Sequence, residues 1–538
     1  MSEHEDPLQP DLNHGLTRDE LLRRAAVGGV VVLGSGSLAE LAEAAIAAQR
    51  PKRGGTFRIG VSGGGAKDFI DGQNIVTRPD QARIVTGWET LVTFNSNFKL
   101  VFGGLAEEVS TKTGDVWTIR VRSGIEFHNG KTLGADDVIY SLRRLINPKL
   151  KLFGGAALAS IDPKRMKKLD KRTVRLFLKR KDGTILDALG QYVAGIVPVG
   201  YSPNAIGKAR PNIGTGPYKV ESFTPGQRSV HVRNPNYWRS GQPYFDRVII
   251  IDFPDDSARV NALLSGQIDA MTDVPPAQVR VVNGRAGKKV LESPSAAWTP
   301  ICMRVDAAPF NDVRVRRAMR LIANRPQMVS QALDGHGRIG NDLYAPFDED
   351  YNRGLRQRHQ DLAQARSLLR AAGKSDLRVD LQTTNGAVGM NEGAQVFAQQ
   401  ARGAGVTVNV KILDSQAFYS DQYLKWPFST DFWGSRNYLS QVAAGSLPSS
   451  PFNETHWPAN RRFITLYTEA LRTVNRKKRR EILHEMQKME YDSGGYIIWG
   501  FSTLLDGYST KVQGLKRGDK GVLPLNAFGH GYRSIWFS

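Results

Sequence analysis

The chain has 538 residues, of which 41% are hydrophobic and 23% charged; these proportions are typical of a soluble globular protein, and the length predicts two or three domains at about 100–200 residues each. The formal net charge of +21 would attract anionic partners, but the basic residues are spread along the chain and no nucleic-acid-binding motif accompanies them. The single cysteine, Cys302, excludes an internal disulfide bond and a cysteine-based metal cluster.

The first 48 residues have the pattern of an export signal. Arg23 and Arg24 precede an apolar stretch that is rich in Ala, Gly and Val, and small residues follow at 42–48. A basic region, an apolar region and a small-residue end are typical of a signal peptide, and the arginine pair resembles a twin-arginine signal. Because no cysteine lies near its end, we expect cleavage and a periplasmic protein rather than a lipoprotein. An amphipathic helix or a membrane anchor is the alternative interpretation.

Strand and helix patterns are mixed along the rest of the chain. Trp117, Ile119 and Val121 alternate with polar residues, which predicts a half-buried strand. A helix with an acidic first turn is predicted to begin at Asp136 and to end before Pro148. Further strands are predicted at 54–60, 174–179 and 248–253, and further helices at 257–264, 313–322, 362–372, 391–401 and 463–474. This mixture without a short repeat predicts an α/β protein.

Motifs for catalysis, cofactors and metals are missing. Residues 130–132 read Gly-Lys-Thr, but a phosphate-binding loop needs a glycine where Ile125 stands. No Gly-x-Ser-x-Gly motif occurs, and the nine histidines have no metal-ligand spacing. Cys302 with a distant histidine is the remaining catalytic alternative, and the apolar neighbours of Cys302 predict a buried strand instead. We therefore expect no enzyme, no cofactor and no metal.

A series of short segments points to one family by its order. The segments are 87–92, 117–131, 135–138, 214–218, 233–238, 254–259, 265–269 and 309–318. This order resembles the extracytoplasmic solute-binding proteins of ABC transporters, family 5, the branch that binds peptides, dipeptides, oligopeptides and nickel. The resemblance runs from Gly54 to about Leu505. Within it, Gly214 and Gly216 predict a tight backbone path, and Asn311-Asp312 predicts a helix cap.

The resemblance implies a two-lobe periplasmic-binding-protein fold of type II, in the large cluster with an extra subdomain in lobe I. The expected limits are 54–296 for lobe I with its subdomain at about 86–212, 297–505 for lobe II, and 506–538 for the return to lobe I. The chain is expected to cross between the lobes at 294–300 and 503–509.

The resemblance also implies a function. A substrate-binding receptor would capture a peptide, or a peptide-like or opine-like solute, in the cleft between its lobes and deliver it to the membrane permease. We expect a small-molecule or short-peptide ligand, the permease subunits as partners, a monomer, no nucleic acid, and membrane contact only through the permease. An exported chaperone or scavenger that uses the same cleft is the alternative.

One segment departs from the family pattern. Peptide binders of this family carry a run like Trp-Gly-Ala-Asp-Tyr, whose aspartate pairs with the ligand's amino terminus. Here residues 432–438 read Phe-Trp-Gly-Ser-Arg-Asn-Tyr, so that Arg436 stands in the place of the aspartate. A guanidinium repels an ammonium group and attracts a carboxylate or a phosphate. The departure therefore favours an anionic or amino-blocked ligand.

Seven residues are predicted to contact the ligand. The tryptophans would stack on it, Arg304 and Arg436 would hold an anionic group, and Asp342 would accept a hydrogen bond. The predicted ligand-binding residues are Trp298, Arg304, Asn341, Asp342, Trp433, Arg436 and Asn437.

Overall fold

A computed structural model describes residues 51–538 except 67, 76, 96–98, 153, 204–212, 451, 458–460, 474, 518–524 and 526–531. The predicted signal peptide at 1–48 lies outside the described residues. The strands are β1 (Thr56–Ser62), β2 (Thr93–Phe94), β3 (Leu100–Val101), β4 (Ala106–Thr111), β5 (Val116–Val121), β6 (Lys167–Lys168), β7 (Thr173–Phe177), β8 (Tyr218–Thr224), β9 (Arg228–Arg233), β10 (Arg247–Phe253), β11 (Ala270–Met271), β12 (Lys288–Pro294), β13 (Ile301–Met303), β14 (Gly337–Ile339), β15 (Arg378–Thr383), β16 (Thr407–Ile412), β17 (Phe428–Thr430), β18 (Tyr496–Ile497), β19 (Gly500–Ser509), β20 (Val512–Gln513) and β21 (Trp536–Phe537).

Helices alternate with these strands, as the sequence pattern predicts for an α/β protein. The α-helices are α1 (Arg78–Gly87), α2 (Ala135–Leu145), α3 (Ile185–Leu189), α4 (Asp256–Ser265), α5 (Val279–Gly284), α6 (Val313–Ile322), α7 (Arg325–Ala332), α8 (Leu362–Ala371), α9 (Met390–Arg402), α10 (Ser415–Phe418), α11 (Tyr438–Gln441), α12 (Arg461–Arg472) and α13 (Arg476–Ser493). Short 3₁₀ turns lie at Ala156–Leu158, Tyr192–Ala194 and Pro276–Gln278, and a π-helical turn lies at Val442–Ser446. None of the helices in the described part of the chain is long and apolar enough to span a membrane.

The large sheet has eight strands and contains both early and late parts of the chain. Its order is β12-β19-β11-β1-β10-β9-β8, with β14 pairing to β19. Strand β1 is parallel to β10 and β11, and β19 is antiparallel to β11 and β12. Alternate residues of β1, such as Phe57 and Ile59, are fully buried and pack with Val248 and Ile250 of β10.

The signature around Gly214 fixes the start of β8 against helix α1. A Cβ at Gly214 would lie 2.0 Å from the Gly87 carbonyl oxygen, and a Cβ at Gly216 would lie 2.5 Å from the Gly87 carbonyl carbon. The Gly216 backbone N–H donates to the Gly87 oxygen at 3.0 Å. No side chain fits so close a contact between two backbones, which confirms the predicted tight path.

A small antiparallel sheet, β4-β5-β7-β6, packs with helix α2 around a separate core. The predicted face of this helix is buried at Val138, Leu142 and Leu145. Its acidic first turn complements the partial positive charge of the helix N-terminus. The same core includes Ile185 and Leu189 of α3, so this region places α3. We call the large and small sheets with their helices the first lobe.

A five-stranded sheet, β16-β15-β17-β13-β18, forms the centre of what we call the second lobe. Strand β15 is parallel to β16 and β17, whereas β13 is antiparallel to β17 and β18. Asp312 caps α6 by accepting from the Arg314 backbone N–H at 2.8 Å, as the sequence predicts. Cys302 is buried in β13, which confirms the predicted buried strand.

The chain connects the large and five-stranded sheets after β12 and after β18, and β14, between these connections, also pairs with the large sheet. It leaves the large sheet after β12, which ends at Pro294, and enters the five-stranded sheet at β13, in agreement with the predicted crossing. It returns between β18 and β19. Thr503 is already paired with Pro294 in the large sheet, so the return lies before the predicted 503–509 segment. Strand β19 is long because its first residues pair with β14 and the later ones with β12.

Candidate functional site

Residues 433–441, in and before helix α11, lie where the two lobes meet. The Asn437 side-chain Nδ2 donates to Asp187 Oδ2 at 2.9 Å, and the Ser440 hydroxyl donates to the same oxygen at 3.3 Å. Asp187 lies on α3 of the first lobe, whereas Asn437 and Ser440 belong to the second. These side chains therefore bridge the lobes, and one of them, Asn437, is a predicted site residue.

Arg436 precedes Asn437 in this segment, and its guanidinium packs against an indole ring. Its guanidinium carbon is 5.5 Å from the centre of the Trp433 ring, within cation–π distance. Among the residues that the structure describes, no carboxylate and no backbone oxygen accepts a hydrogen bond from Arg436. Burial lowers the pKa of Arg436, and nearby Tyr192 of the first lobe acts in the opposite direction. An arginine stays protonated in proteins, so the site holds a half-buried and unneutralised positive charge.

The first lobe contributes a second guanidinium near the same place. Burial raises the pKa of Tyr192, and the charges of Arg436 and Arg78 both act to lower it. Arg78 is the first residue of α1 and donates to Asp273 at 2.9 Å. One positive group from each lobe therefore acts on this phenol, and of the two Arg78 is paired with Asp273.

Asp187 titrates abnormally in this environment. Burial raises the pKa of Asp187 to about 6; the hydrogen bond from Asn437 lowers it, and the charge of Asp348 raises it further. Asp348 itself accepts from the Tyr438 backbone N–H at 2.7 Å, just after Asn437. The carboxylates of Asp187 and Asp348 thus both bind the residues that directly follow Arg436.

A column of aromatic rings supports the segment from within the second lobe. Trp298 and Trp433 exchange backbone hydrogen bonds of 3.0 and 2.9 Å, and their rings stack at 6.1 Å with an interplanar angle of 14°. Trp298 stacks in turn on Tyr344 at 5.6 Å, and Tyr344 stacks on Tyr438 at 5.3 Å. Trp298 is only 2% exposed, so the structure places it in the core that positions Trp433.

Buried Glu490 fixes the far end of this column. It accepts hydrogen bonds from the hydroxyls of Tyr344 at 2.5 Å and Tyr438 at 2.6 Å. Burial raises the pKa of Glu490 to about 7, and the two hydroxyl donors lower it. Because Tyr438 directly follows Asn437, this network holds the polar residues of the junction in place.

Three other predicted site residues have their polar groups engaged inside the second lobe. Arg304 donates to both oxygens of Asp306, at 3.0 and 2.9 Å, and to the Lys425 carbonyl. Asn341 bonds the backbone of a loop, where its oxygen accepts from the Arg358 N–H at 2.8 Å. Their contact with a ligand stays a prediction, and the structure does not bring them to Arg436.

Asp342 has several partners inside the second lobe, and its contact with a ligand also stays a prediction. Arg325 donates to both of its oxygens at 2.7 and 2.6 Å, Arg358 lies 3.2 Å away, and the Ile498 N–H donates at 3.0 Å. The side chain is completely buried. The arginine charges lower the pKa of Asp342, although burial alone would raise it. A carboxylate with so many internal donors has little capacity left for a ligand.

Sequence reasoning missed the first-lobe members of the site, which are Arg78, Asp187 and Tyr192. They occur in no motif that differs from ordinary helix and turn sequence, and only the fold brings them to Asn437. Within the described part of the chain, no group of three or more His, Cys, Asp or Glu side chains is arranged to hold a metal ion.

Two lobes joined by two crossings, with polar groups of both lobes meeting at the junction, define the class of type II periplasmic binding proteins. Solved structures share this fold. AgaA of A. tumefaciens R10, in complex with agropinic acid, superimposes with a TM-score of 0.76 at 20% identity. The matched region covers 90% of this chain and 99% of AgaA. DppA of Helicobacter pylori, in complex with the peptide STSA, has a TM-score of 0.77 at 20% identity and covers 90% and 98%.

The family follows from the sequence match. The family model described as "Bacterial extracellular solute-binding proteins, family 5 Middle" matches residues 101–447, which are more than half of the chain. The dipeptide-binding protein of Escherichia coli is 25% identical over 465 residues, which cover 79% of this chain and 86% of that protein. The chain belongs to the bacterial extracellular solute-binding proteins, family 5. It is a substrate-binding receptor of an ABC importer, in a family of binding proteins rather than enzymes.

Proposed function

We propose that the receptor captures an acidic solute, opine-like or peptide-like, in the cleft between its lobes, and that Arg436 anchors the acid group. The observation that carries this proposal is the guanidinium of Arg436, which is half-buried at the lobe junction without a counter-ion among the described residues. An arginine in such a position is less favourable than one in water unless a partner arrives. A ligand carboxylate supplies two parallel charge-assisted hydrogen bonds to it.

The surroundings of Arg436 support an acid rather than an amine. The positive charge of Arg78 acts on the same phenol, Tyr192, from the first lobe. The Oδ2 atom of Asp187 is engaged by Asn437 and Ser440, which leaves its other oxygen as the acceptor for a ligand ammonium group. A free-amino peptide would therefore meet the unpaired guanidinium charge of Arg436, whereas a carboxylate would be drawn to it.

Lobe closure completes the proposed capture. With the lobes together, the Asn437–Asp187 hydrogen bond and the exposed Lys99–Glu349 ion pair at 3.5 Å connect them. A ligand that binds both lobes shifts the population toward this closed form, which the permease subunits then recognise. Trp433 forms an apolar wall beside the anchored group, supported by the stacked column behind it.

The ligands bound in two of the similar structures supply two probes, one chosen for its acid group and the other for its free amino terminus. Agropinic acid, bound by AgaA, is an acid, and the peptide STSA, bound by DppA, has a free amino terminus. We expect isothermal titration calorimetry to show saturable, one-site binding of agropinic acid and weaker binding of STSA. Saturable binding that raises the melting temperature would also separate a receptor from a chaperone-type protein.

The Arg436→Asp variant tests the anchor. It replaces attraction by repulsion, and we expect the dissociation constant for agropinic acid to rise at least 100-fold, or about 2.7 kcal/mol. The control is Arg462→Asp, which makes the same charge change at an exposed arginine of the second lobe paired with Glu485. Equal affinities of the Arg436→Asp variant and the wild-type protein would contradict the anchor.

A probe-independent experiment addresses the ligand class. The protein is purified from its native host and denatured, and the released small molecules are identified by mass spectrometry. We expect an acidic or amino-blocked compound that is missing from the Arg436→Asp preparation. A co-released ligand with a free amino terminus and no dependence on Arg436 would contradict the proposal.

The remaining parts of the proposal concern export and organisation. We propose that residues 1–48 are a cleaved signal peptide that resembles the twin-arginine type, and that the mature protein is a periplasmic monomer. We propose the lobe limits 54–296, with a subdomain at about 86–212, for the first lobe; the second lobe begins at 297, as the sequence predicts, and ends before β19, where the chain returns to the first lobe. Mass spectrometry of the exported protein would locate the cleavage site near residue 48.

A further inference from the structure

A second polar group, at the end of the helix that follows the proposed anchor, is buried without a partner in the described part of the chain. Gln441, the last residue of α11, is 1% exposed, and neither its amide oxygen nor its amide nitrogen makes a hydrogen bond within the described structure. The indole Nε1 of Trp433, which is 6% exposed, is likewise without an acceptor there. Buried polar atoms are nearly always paired, so three unpaired atoms in one place indicate a missing partner.

The side chains that carry these atoms both pack against Gly445. A Cβ at Gly445 would lie 2.9 Å from Trp433 Cζ2, 3.1 Å from Trp433 Cη2 and 3.3 Å from Gln441 Nε2. Since Cζ2 belongs to the edge of the indole that carries Nε1, this edge and the Gln441 amide approach the same point. A side chain at that point would overlap the indole, so Gly445 allows this close packing. It belongs to the π-helical turn Val442–Ser446, a kind of turn that is frequent at functional sites.

Other buried glutamines of the second lobe are paired from within the fold. Gln487, which is also fully buried in the second lobe, donates to the Asp350 carbonyl at 3.0 Å and accepts from the Asn352 N–H at 2.6 Å. Gln400, a third buried glutamine, donates to Gln327 at 3.0 Å. The fold therefore satisfies these other buried glutamines from within and leaves Gln441 for a group from outside.

We propose that Gln441 and the Trp433 indole N–H form a polar subsite that binds a hydroxyl or amide group of the solute. Such a group accepts from Trp433 Nε1 or Gln441 Nε2 and donates to Gln441 Oε1. Trp433 connects the subsite to the anchor, because Arg436 lies over its ring at 5.5 Å. The inference rests on the proposed function: the acid group of the solute binds Arg436, and a neutral polar group of the same solute binds Gln441.

The Gln441→Leu variant tests the subsite, with Gln487→Leu as the matched control. A subsite residue gives nothing to the ligand-free fold, so we expect Gln441→Leu to keep or raise the melting temperature of the ligand-free protein. We expect its dissociation constant for agropinic acid to rise about 10- to 100-fold. Gln487→Leu breaks two satisfied hydrogen bonds, so its melting temperature should fall while its dissociation constant changes less than twofold.

The outcomes separate this proposal from the proposed function. If Arg436→Asp weakens binding and Gln441→Leu does not, the subsite is wrong and the anchor stands. If Gln441→Leu lowers the melting temperature without changing affinity, the amide holds an internal water molecule, which also overturns the subsite. If Arg436→Asp leaves affinity unchanged, the proposed function fails, whatever Gln441→Leu does.

A spectroscopic measurement tests the subsite without relying on the folding of the Gln441 variant. In a ¹H–¹⁵N correlation spectrum of the wild-type protein, the indole resonance of Trp433 is assigned by its loss in Trp433→Phe. A new hydrogen bond should move its proton resonance downfield when agropinic acid is added. An indole resonance that stays in place while agropinic acid binds would overturn the subsite.

Discussion

Two clusters of polar residues in the second lobe differ in how completely their groups are paired. Around Asp342, a buried carboxylate is bound by Arg325 and Arg358 and accepts a backbone N–H as well. Around Arg436, a half-buried guanidinium has no counter-ion among the described residues, and the amide of Gln441 beside it has no partner. A cluster whose charges are paired holds the fold together, whereas an unpaired charge at the lobe junction is available to a ligand. Charge and burial alone do not separate these roles; pairing does.

The largest expected effect comes from breaking the paired cluster. Asp342→Asn leaves two buried arginines without their counter-ion, and removing one partner of a buried ion pair typically destabilises a protein by about 3–5 kcal/mol. We expect a loss of this size in the free energy of unfolding, measured by urea denaturation with two probes to check that the transition is two-state.

Asp306 supplies the control for this prediction. Asp306 accepts hydrogen bonds from Arg304 and His456, and these contacts lower its pKa. Its side chain is nevertheless 46% exposed. Exposed ion pairs contribute about 0–1 kcal/mol, so we expect Asp306→Asn to fall in that range. A difference below 1 kcal/mol between the two variants would show that pairing in the Asp342 cluster does not stabilise the fold.

A smaller effect is expected where the two lobes are joined. Asn437→Ala removes the 2.9 Å hydrogen bond to Asp187, and a hydrogen bond to a charged group contributes about 1.5–3 kcal/mol. If this bond forms only on closure, the affinity for agropinic acid should fall about 10- to 100-fold, as measured by calorimetry. Ser440→Ala is the matched control, because its bond to the same oxygen is longer, at 3.3 Å, and should cost only a few-fold in affinity. Equal losses in the two variants would mean that neither bond controls closure.

The fold was largely predictable because its signals are local. Helix α6 has the predicted limits at Val313 and Ile322, since Asp312 caps it and its apolar residues recur at helical spacing. The close approach at Gly214 and Gly216 follows from a property of glycine that the sequence displays directly. The return crossing was harder to place, because a long strand such as β19 carries no break that marks where its pairing partner changes.

The site was only partly predictable because its members come from distant parts of the chain. Arg436 was recognisable because it departs from a family pattern, and Asn437 was predicted as its neighbour in the same segment. Asp187 lies 250 residues away in sequence from Asn437, and no local pattern relates them. Asp342 had the residue type of a ligand contact, but its neighbours Arg325 and Arg358 were not visible as its partners until the chain was folded.

The smallest expected effect, and the most specific to the junction, is a pH dependence of closure. Burial raises the pKa of Asp187 to about 6 when the lobes are together, above the value of about 3.9 for a carboxyl in water. The closed form therefore binds a proton more tightly than an open form in which Asp187 is hydrated. The resulting stabilisation of closure is fully present below about pH 4 and is lost as the pH rises through 6. We expect the affinity for agropinic acid to fall by at most about tenfold per pH unit in this window, because one proton is involved.

Comparison with Asp187→Asn isolates this contribution. Asp182, Asp348 and Arg436 stay in place in the variant, and any titration of agropinic acid itself affects both proteins alike. The asparagine still accepts from Asn437 and Ser440 but cannot ionise, so the difference in log Kd between wild type and variant should change between pH 4 and 6 and be constant above about pH 7. A difference that is constant across the whole range would show that Asp187 has the same pKa in the open and closed forms, and that the junction joins the lobes without responding to pH.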